Sequence, residues 1–341
     1  MRTALLHPPS FLMEPLIQNT HLPAVESFIE TLCSTFDSRQ MGDLGYFLGM
    51  EITRNATTLH LSQSRYATDL LSKFNMVSCK PYPTPLSSST RLSRTRLSLL
   101  DGEALDDPTV YRSMVGRLQY LTLSRPDIAF AVNQVCQFMH HPWTSHLQVV
   151  KRIYRYVKGT IEHGLSFHSS TDYNLTAFSD SDWAGSLDDR RSTTGACIFL
   201  GPNLLTWTAK KQSTVSRSSA EAEYRALATT AAELRWFGYL FRELGIPLHT
   251  PPRIFCDNIS TLHMASNPVF HARTRHIEID YHFIRELLAR GALHVSYVSS
   301  MNQLADIFTK GLTRERFALL ASKLNLHSIP FRLRGCEGNK T

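Results

Sequence analysis

Three aspartates and a pair of glutamates carry the chemistry open to this sequence. Asp180 closes the stretch LTAFSD, where apolar and polar residues alternate as in a half-buried strand, ahead of the turn-like run Ser181, Asp182, Trp183, Ala184 and Gly185. Asp257 ends the short apolar run RIFCD, and Asp306 stands in NQLADIFTK, in the first turn of a final helix expected to begin near Asn302. Glu221 and Glu223 open the long helical pattern SSAEAEYRALATTAAELRWFGYLFRELG, and its period does not choose between them. Asp182 competes with Asp180 but is expected to fall in the turn. An Asp at a strand end is more often a turn residue than a catalyst. What raises these acids above that reading is their number in suitable contexts: four oxygen donors, with no His or Cys at ligand spacing, suit hard divalent cations such as magnesium.

These side chains need a scaffold that brings strand ends and helix starts together. Strands are expected at LTAFSDSD, TGACIFL and LLTWTAK, with Gly201, Pro202 and Asn203 turning between the last two. The long helix follows, with Tyr224, Leu227, Ala228, Ala231, Leu234, Phe241 and Leu244 inward and Gly245 at its stop. Then come the strand RIFCD, a short helix, a longer helix around IEIDYHFIRELLARG, the strand LHVSYVS and the last helix. Three strands, helix, strand, helices, strand and helix make an α/β layout, in which carboxyl ends of strands converge on one crevice.

The front half reads differently. Residues 1–22, with Pro8, Pro9 and Pro15, show neither period and form a leader of uncertain structure. LPAVESFIETLCSTFD is helical by spacing, two strands follow at LGYFLGMEITR and TLHLSQSRYA with Asn55 and Ala56 near their turn, and a helix runs through Tyr66, Leu70, Leu71 and Phe74. A Pro- and Ser-rich linker covers residues 77 to about 108, and helices follow at PTVYRSMVGRLQYLTLS, RPDIAFAVNQVCQFMH and from Pro142 to about Lys158. The last presents Lys151, Arg155 and Lys158 at i, i+4 and i+7, a basic face that either tracks phosphates or is solvated helix surface.

Composition narrows the class. With 341 residues, 43% of them hydrophobic, the chain suits about two domains with real cores, and a net charge of +7 is compatible with a polyanionic partner without requiring one. Six scattered cysteines form no CxxC pair, against a zinc site or disulfide framework. The N-terminal stretch has no sustained apolar core, and no run approaches the roughly 18 residues of a membrane span. An intracellular protein, cytoplasmic or nuclear, not secreted and without a membrane partner, is expected.

At these residues the sequence resembles a known family. FSDSDWAG, RRSTTGACIFL, WTAKKQSTVSRSSAEAEYRALA, CDN, RHIEIDYHFIRE and NQLADIFTKGL, over residues 170–312, look like the ribonuclease H domain of copia-type retrotransposon Pol polyproteins. MGDLGYFLGMEI, LSQSRYATDLLSKFNM, YRSMVGRLQYLTLSRPDIAFAVNQVCQFM and VKRIYRYVKGT, within residues 23–165, are similar to the C-terminal part of the same polyprotein's reverse transcriptase. The resemblance implies a ribonuclease H-like mixed sheet with flanking helices, preceded by a mainly helical thumb and connection remnant, with residues 313–341 as a C-terminal tail. It implies Asp180, Glu223, Asp257 and Asp306 as catalytic metal ligands; Glu223 is preferred to Glu221 because Tyr224, Ala226 and Leu227 fit the family pattern. They would hold two magnesium ions roughly 4 Å apart, with manganese a substitute, to activate a water and stabilise the leaving 3′-oxygen as the RNA strand of an RNA–DNA hybrid is cut. No other cofactor is implied.

The partners implied are the hybrid, gripped in part by Lys151, Arg155 and Lys158, and the rest of a Pol polyprotein. The family's polymerase acids occupy a Tyr-x-Asp-Asp turn that this sequence lacks: Asp106–Asp107 precede a helix at Pro108, and Asp188–Asp189 lie in the second domain. Polymerase activity is therefore not expected from this chain alone. The loop VSSMNQL before the last acid lacks the histidine that many related ribonucleases H carry. The competing expectation is a non-catalytic nucleic-acid-binding remnant of such a polyprotein.

Overall fold

Asn55 shows how local chemistry sets the first hairpin. Its Oδ1 accepts from the Thr57 and Thr58 amides (3.0 and 2.7 Å), turning the chain between β2 (Met50–Arg54) and β3 (Thr58–Ser62). The preceding turn, from β1 (Tyr46–Phe47) into β2, has positive φ at both Leu48 (46°) and Gly49 (70°), as a tight two-residue hairpin requires. Leu48 tolerates this conformation because the Tyr120 hydroxyl donates to its carbonyl. This computed structural model describes residues 34, 45–90, 102–246, 248–266 and 277–328. The leader, the helix expected at LPAVESFIETLCSTFD, the linker between 91 and 101, and the chain beyond 328 lie outside the described residues.

The front-half helices are α1 (Ser64–Lys73), α2 (Thr109–Leu121), α3 (Ala129–Cys136) and α4 (Thr144–Gly159). On α2 the expected stripe of Tyr111, Met114, Val115, Leu118 and Leu121 is buried. Pro126 opens a single 3-10 turn rather than an α-helix, and its Asp127 forms a buried ion pair with Arg125 (2.7 Å). The expected strand pair is part of a larger sheet, because β3 offers its free edge to β4 (His163–His168), which pairs in turn with β10 (Leu326–Ser328); the order is β1-β2-β3-β4-β10, antiparallel throughout. Residues 313–328 fold back to build this edge: α8 (Arg314–Ser322) buries Phe317 and Leu320 in the front-half core, and β10 adds Leu326.

The second sheet has the order β7-β6-β5-β8-β9. Strands β5 (Leu175–Asp182), β6 (Thr193–Leu200) and β7 (Asn203–Lys211) are antiparallel, whereas β8 (Arg253–Cys256) and β9 (His294–Tyr297) run parallel to β5. Helices α5 (Ser219–Glu243), α6 (Ile259–Ser266) and α7 (Glu278–Ala289) flank it, giving the expected mixed sheet with flanking helices. Tyr224, Leu227, Ala228, Ala231, Leu234 and Phe241 are buried as expected, but Leu244 is 38% exposed because the helix has reached its cap there. Cys197, Phe199 and Leu204 of this sheet belong to the core that fills the front half, so apolar packing is continuous between the halves. No helix among the described residues is long and apolar enough to cross a membrane.

Candidate active site

Parallel pairing of β5 with β8, Phe178 opposite Phe255, brings the carboxyl ends of both strands to one edge of the sheet. Asp180 on β5 and Asp257, one residue past β8, therefore share that edge. Asp180 is 1% exposed. Opposite it on β6 is Gly195, where a Cβ would lie 2.5 Å from Thr309 Cγ2 and 2.9 Å from the Ala305 carbonyl. The missing side chain lets the 3-10 turn Leu304–Phe308, which carries Asp306, seat directly against the sheet.

The two glutamates separate around α5. Two residues along a helix are about 200° apart, so they cannot face the same neighbours. Glu221 is committed to the helix start, accepting from the Arg217 amide (2.9 Å) and pairing with Arg225 (2.9 Å). Glu223 faces the acids: with Cys256 and Asp257 it offers ligand atoms all within 4.8 Å of one another, and its Oε2 is buried without a hydrogen-bond partner among the described residues. Burial, with Asp180 and Asp257 close by, holds the Glu223 carboxyl well above the usual carboxylate range.

Basic and hydroxyl groups complete the cluster. The Lys310 ammonium lies 3.2 Å from Asp180 Oδ2 and 2.8 Å from Asp306 Oδ1, and the Thr309 hydroxyl donates to Asp180 Oδ2. Arg316 of α8 reaches Asp306 Oδ2 at 3.2 Å while donating to the Ser300 and Met301 carbonyls. Ser300 donates to Asp257 Oδ2 (2.7 Å), and Gln303 Nε2 donates to the Ser179 carbonyl (2.9 Å), tying the loop to β5. Burial and Asp180 raise Asp306, whereas for Lys310 the two carboxylates outweigh burial and raise its pKa.

The structure thus gathers Asp180, Glu223, Asp257 and Asp306 into one cluster. Two local expectations need correction. Strand β5 continues past Asp180, and Asp182 is paired within it opposite Thr193 rather than in the turn, because its carboxylate accepts the Thr193 amide. Burial and Asp180 push its pKa up to about 7. The helix expected near Asn302 is instead two 3-10 turns, Ser300–Asn302 and Leu304–Phe308, because Gln303 between them is extended and its side chain accepts from the Ala305 amide.

The basic face of α4 stands apart from the acids' hydrogen-bond network. Lys151 is exposed, but Arg155 donates to the Lys80 carbonyl (2.6 Å) and stacks on Tyr82, and Lys158 donates to the Val77 carbonyl. Spacing identified the face but not the linker that occupies it. Sequence reading also missed Ser300, Thr309, Lys310 and Arg316. Lys310 had a signal, the i, i+4 spacing from Asp306; Arg316, ten residues beyond that acid and outside any shared element, had none.

Chemically, the cluster offers donors that could hold a cation. Its anionic donors are carboxylate oxygens, since burial beside Glu223 keeps the Cys256 thiol protonated. Glu223 Oε2 is buried with no hydrogen-bond partner among the described residues, which leaves an oxygen available to a ligand. Oxygen donors of this kind fit magnesium or manganese.

Comparison with known proteins bears on the whole chain. The profile described as reverse transcriptase (RNA-dependent DNA polymerase) matches residues 11–88. The chain is 47% identical over 315 residues to the retrovirus-related Pol polyprotein from transposon RE1 of Arabidopsis thaliana, covering 92% of this chain and 21% of that protein. It thus spans about a fifth of the length of the polyproteins it matches. It is also similar, at 52% over 205 residues, to the uncharacterized mitochondrial protein AtMg00810 of Arabidopsis thaliana, covering 60% of this chain and 83% of the relative. Among solved structures, LC11-RNase H1 isolated from compost aligns with 40% of this chain and 93% of its own at 15% identity and a TM-score of 0.33.

Proposed function

Because the chain belongs to the copia-type, retrovirus-related Pol polyprotein family, we propose that the acid cluster is a metal-dependent ribonuclease H site that cuts the RNA strand of an RNA–DNA hybrid. The observation that carries this reading is the convergence of buried Asp180, Glu223 and Asp306 with half-buried Asp257, with one Glu223 oxygen lacking a partner among the described residues. Two divalent ions, magnesium or manganese, held there supply the positive charge that hydrolysis needs at the attacking water and the leaving 3′-oxygen. Asp180, the most enclosed of the four acids, is held in place by the Thr309 hydroxyl and Lys310 and would be a ligand of the bound ions. Ser300 fixes the carboxylate of Asp257 and Arg316 that of Asp306, the kind of outer contact that sets ligand geometry.

The proposed substrate path is a cleft of about 500 Å³ that meets the cluster at Asp182, Thr309 and Lys310 rather than at the four acids themselves, and is also lined by Trp183, Arg190 and Gln137. The α4 face with Lys151, Arg155 and Lys158 is the proposed further contact with the duplex backbone, weakened by the commitment of Arg155 and Lys158 to the linker. The same reading divides the chain into a reverse-transcriptase portion at 23–165 and a ribonuclease H-like portion at 170–312, acting in an intracellular compartment as part of a Pol product. No polymerase activity is proposed. Asp107 accepts the Thr109 amide (2.8 Å) at the start of α2, and no Tyr-x-Asp-Asp turn exists in the sequence.

The test is cleavage of a labelled hybrid by the full chain with magnesium or manganese. Asp180→Asn and Glu223→Gln should each lower the rate at least ~100-fold, and Glu221→Gln should stay within about threefold. Equal activity of wild type and Asp180→Asn would refute the site. Tight hybrid binding without cleavage under either ion would support the non-catalytic alternative.

A further inference from the structure

Lys310 places a positive charge where two of the four acids meet. Its ammonium contacts Asp306 Oδ1 at 2.8 Å and Asp180 Oδ2 at 3.2 Å, so these oxygens lie no more than about 6 Å apart. A divalent ion ligated by both carboxylates would sit about 2.1 Å from each oxygen, in nearly the same space. The two cations therefore exclude each other. Arg316, the other base on this cluster, is held differently: it also donates to the Ser300 and Met301 carbonyls, contacts that persist whatever fills the site. Lys310 is held by the two carboxylates, and its side chain is 43% exposed, which leaves it a way out to solvent.

Resting on the nuclease reading above, we propose that Lys310 is a resident cation of the site, bridging Asp180 and Asp306 while the chain is metal-free and leaving when a divalent ion enters. In the metal-free chain it keeps two enclosed carboxylates from repelling each other and holds their oxygens within about 6 Å of one another. Metal entry is then an exchange of one cation for another. The Glu223 and Asp257 side, which no basic side chain contacts among the described residues, is where an ion can first gain purchase.

Calorimetric titration of the full chain with manganese, without nucleic acid, tests this. Lys310→Met should bind manganese about tenfold more tightly than wild type, equivalent to about 1.4 kcal/mol. In chelator its thermal midpoint should fall, and manganese should raise that midpoint by more than it does for wild type. A lysine with a purely structural role predicts the opposite sign, weaker metal binding from a disordered site. Lys310→Gln, which keeps a donor but removes the charge, should behave like the methionine variant and covers the case in which the latter does not fold. Unchanged or weaker manganese binding by the folded variants, with a wild type that binds and cleaves, overturns the exchange and leaves the nuclease reading standing. Failure of wild type to bind manganese overturns both.

Discussion

Replacing Arg316 tests whether α8 serves the proposed site. Its guanidinium donates to the carbonyls of Ser300 and Met301 and to Asp306 Oδ2 at 3.2 Å, so one side chain fixes the loop that bears Ser300 and the acid that follows it. Hydrogen bonds involving a charged group contribute roughly 1.5–3 kcal/mol each. The site is partly exposed, so water recovers much of this, and a net cost of about 2–4 kcal/mol for Arg316→Met is expected in local stability. The larger effect should be geometric. With Asp306 free to move by about 1 Å, and Asp257 losing a fixed Ser300, kcat should fall ~100-fold at saturating magnesium, with KM for the hybrid changing much less. Arg316→Lys keeps the charge but not the fork that spans three acceptors, so a loss of about tenfold is expected. Manganese affinity should drop, the opposite of the Lys310 result. Steady-state hybrid cleavage, calorimetry and circular dichroism on the same preparations supply the comparison. A folded Arg316→Met variant with kcat within about threefold of wild type would refute the reasoning.

Two further outcomes concern stability. Asp127→Asn leaves Arg125, which is 1% exposed, as a buried cation without its bidentate carboxylate and should cost about 3–5 kcal/mol in urea unfolding, whereas replacing both residues by apolar ones should cost less than the single change. His60 is held down to about 4 by burial and by His327 and His163, below the unfolded value of 6.5. The folded chain therefore carries it neutral, and stability should decline by about 1–2 kcal/mol as pH falls from about 6.5 toward 4, after allowance for residual solvent. Urea midpoints at pH 7 and pH 5 for wild type and His60→Gln check this; an undiminished pH dependence in the variant would exclude His60 as its source.

The positions of Asp180, Asp257 and the glutamates were legible in the sequence because each sits in a local pattern that survives folding, whereas Asp306 was placed in a helix and lies in a 3-10 turn. Alternation exposed the β5 strand around Asp180, a short apolar run ended at Asp257, and helical spacing placed both glutamates in the first turns of α5. Choosing between Glu221 and Glu223 by residues alone failed because period fixes a helix's apolar stripe, while their partners, Arg217 and Arg225 for one and Asp257 for the other, depend on what packs beside it. Asp182 was misplaced because Ser-Asp-Trp-Ala-Gly has turn chemistry, yet pairing with Thr193 carries the strand through it. Arg316 and β10 were invisible for a simpler reason: their partners lie far away along the chain, and no short-range pattern encodes a return.

That return has a consequence for how the two halves can be separated. The chain leaves the front sheet after β4, builds the whole second sheet, and comes back as β10 against the strand it left, Leu326 opposite Leu165. In topological terms the second sheet with its helices is an insertion between adjacent strands of the first sheet, not a unit appended to it. A proteolytic nick between residues 168 and 175 would yield two fragments that remain clasped through β10 and the Phe317–Leu320 packing, as split proteins do, and recombination that swaps the nuclease portion would need two compatible crossovers rather than one.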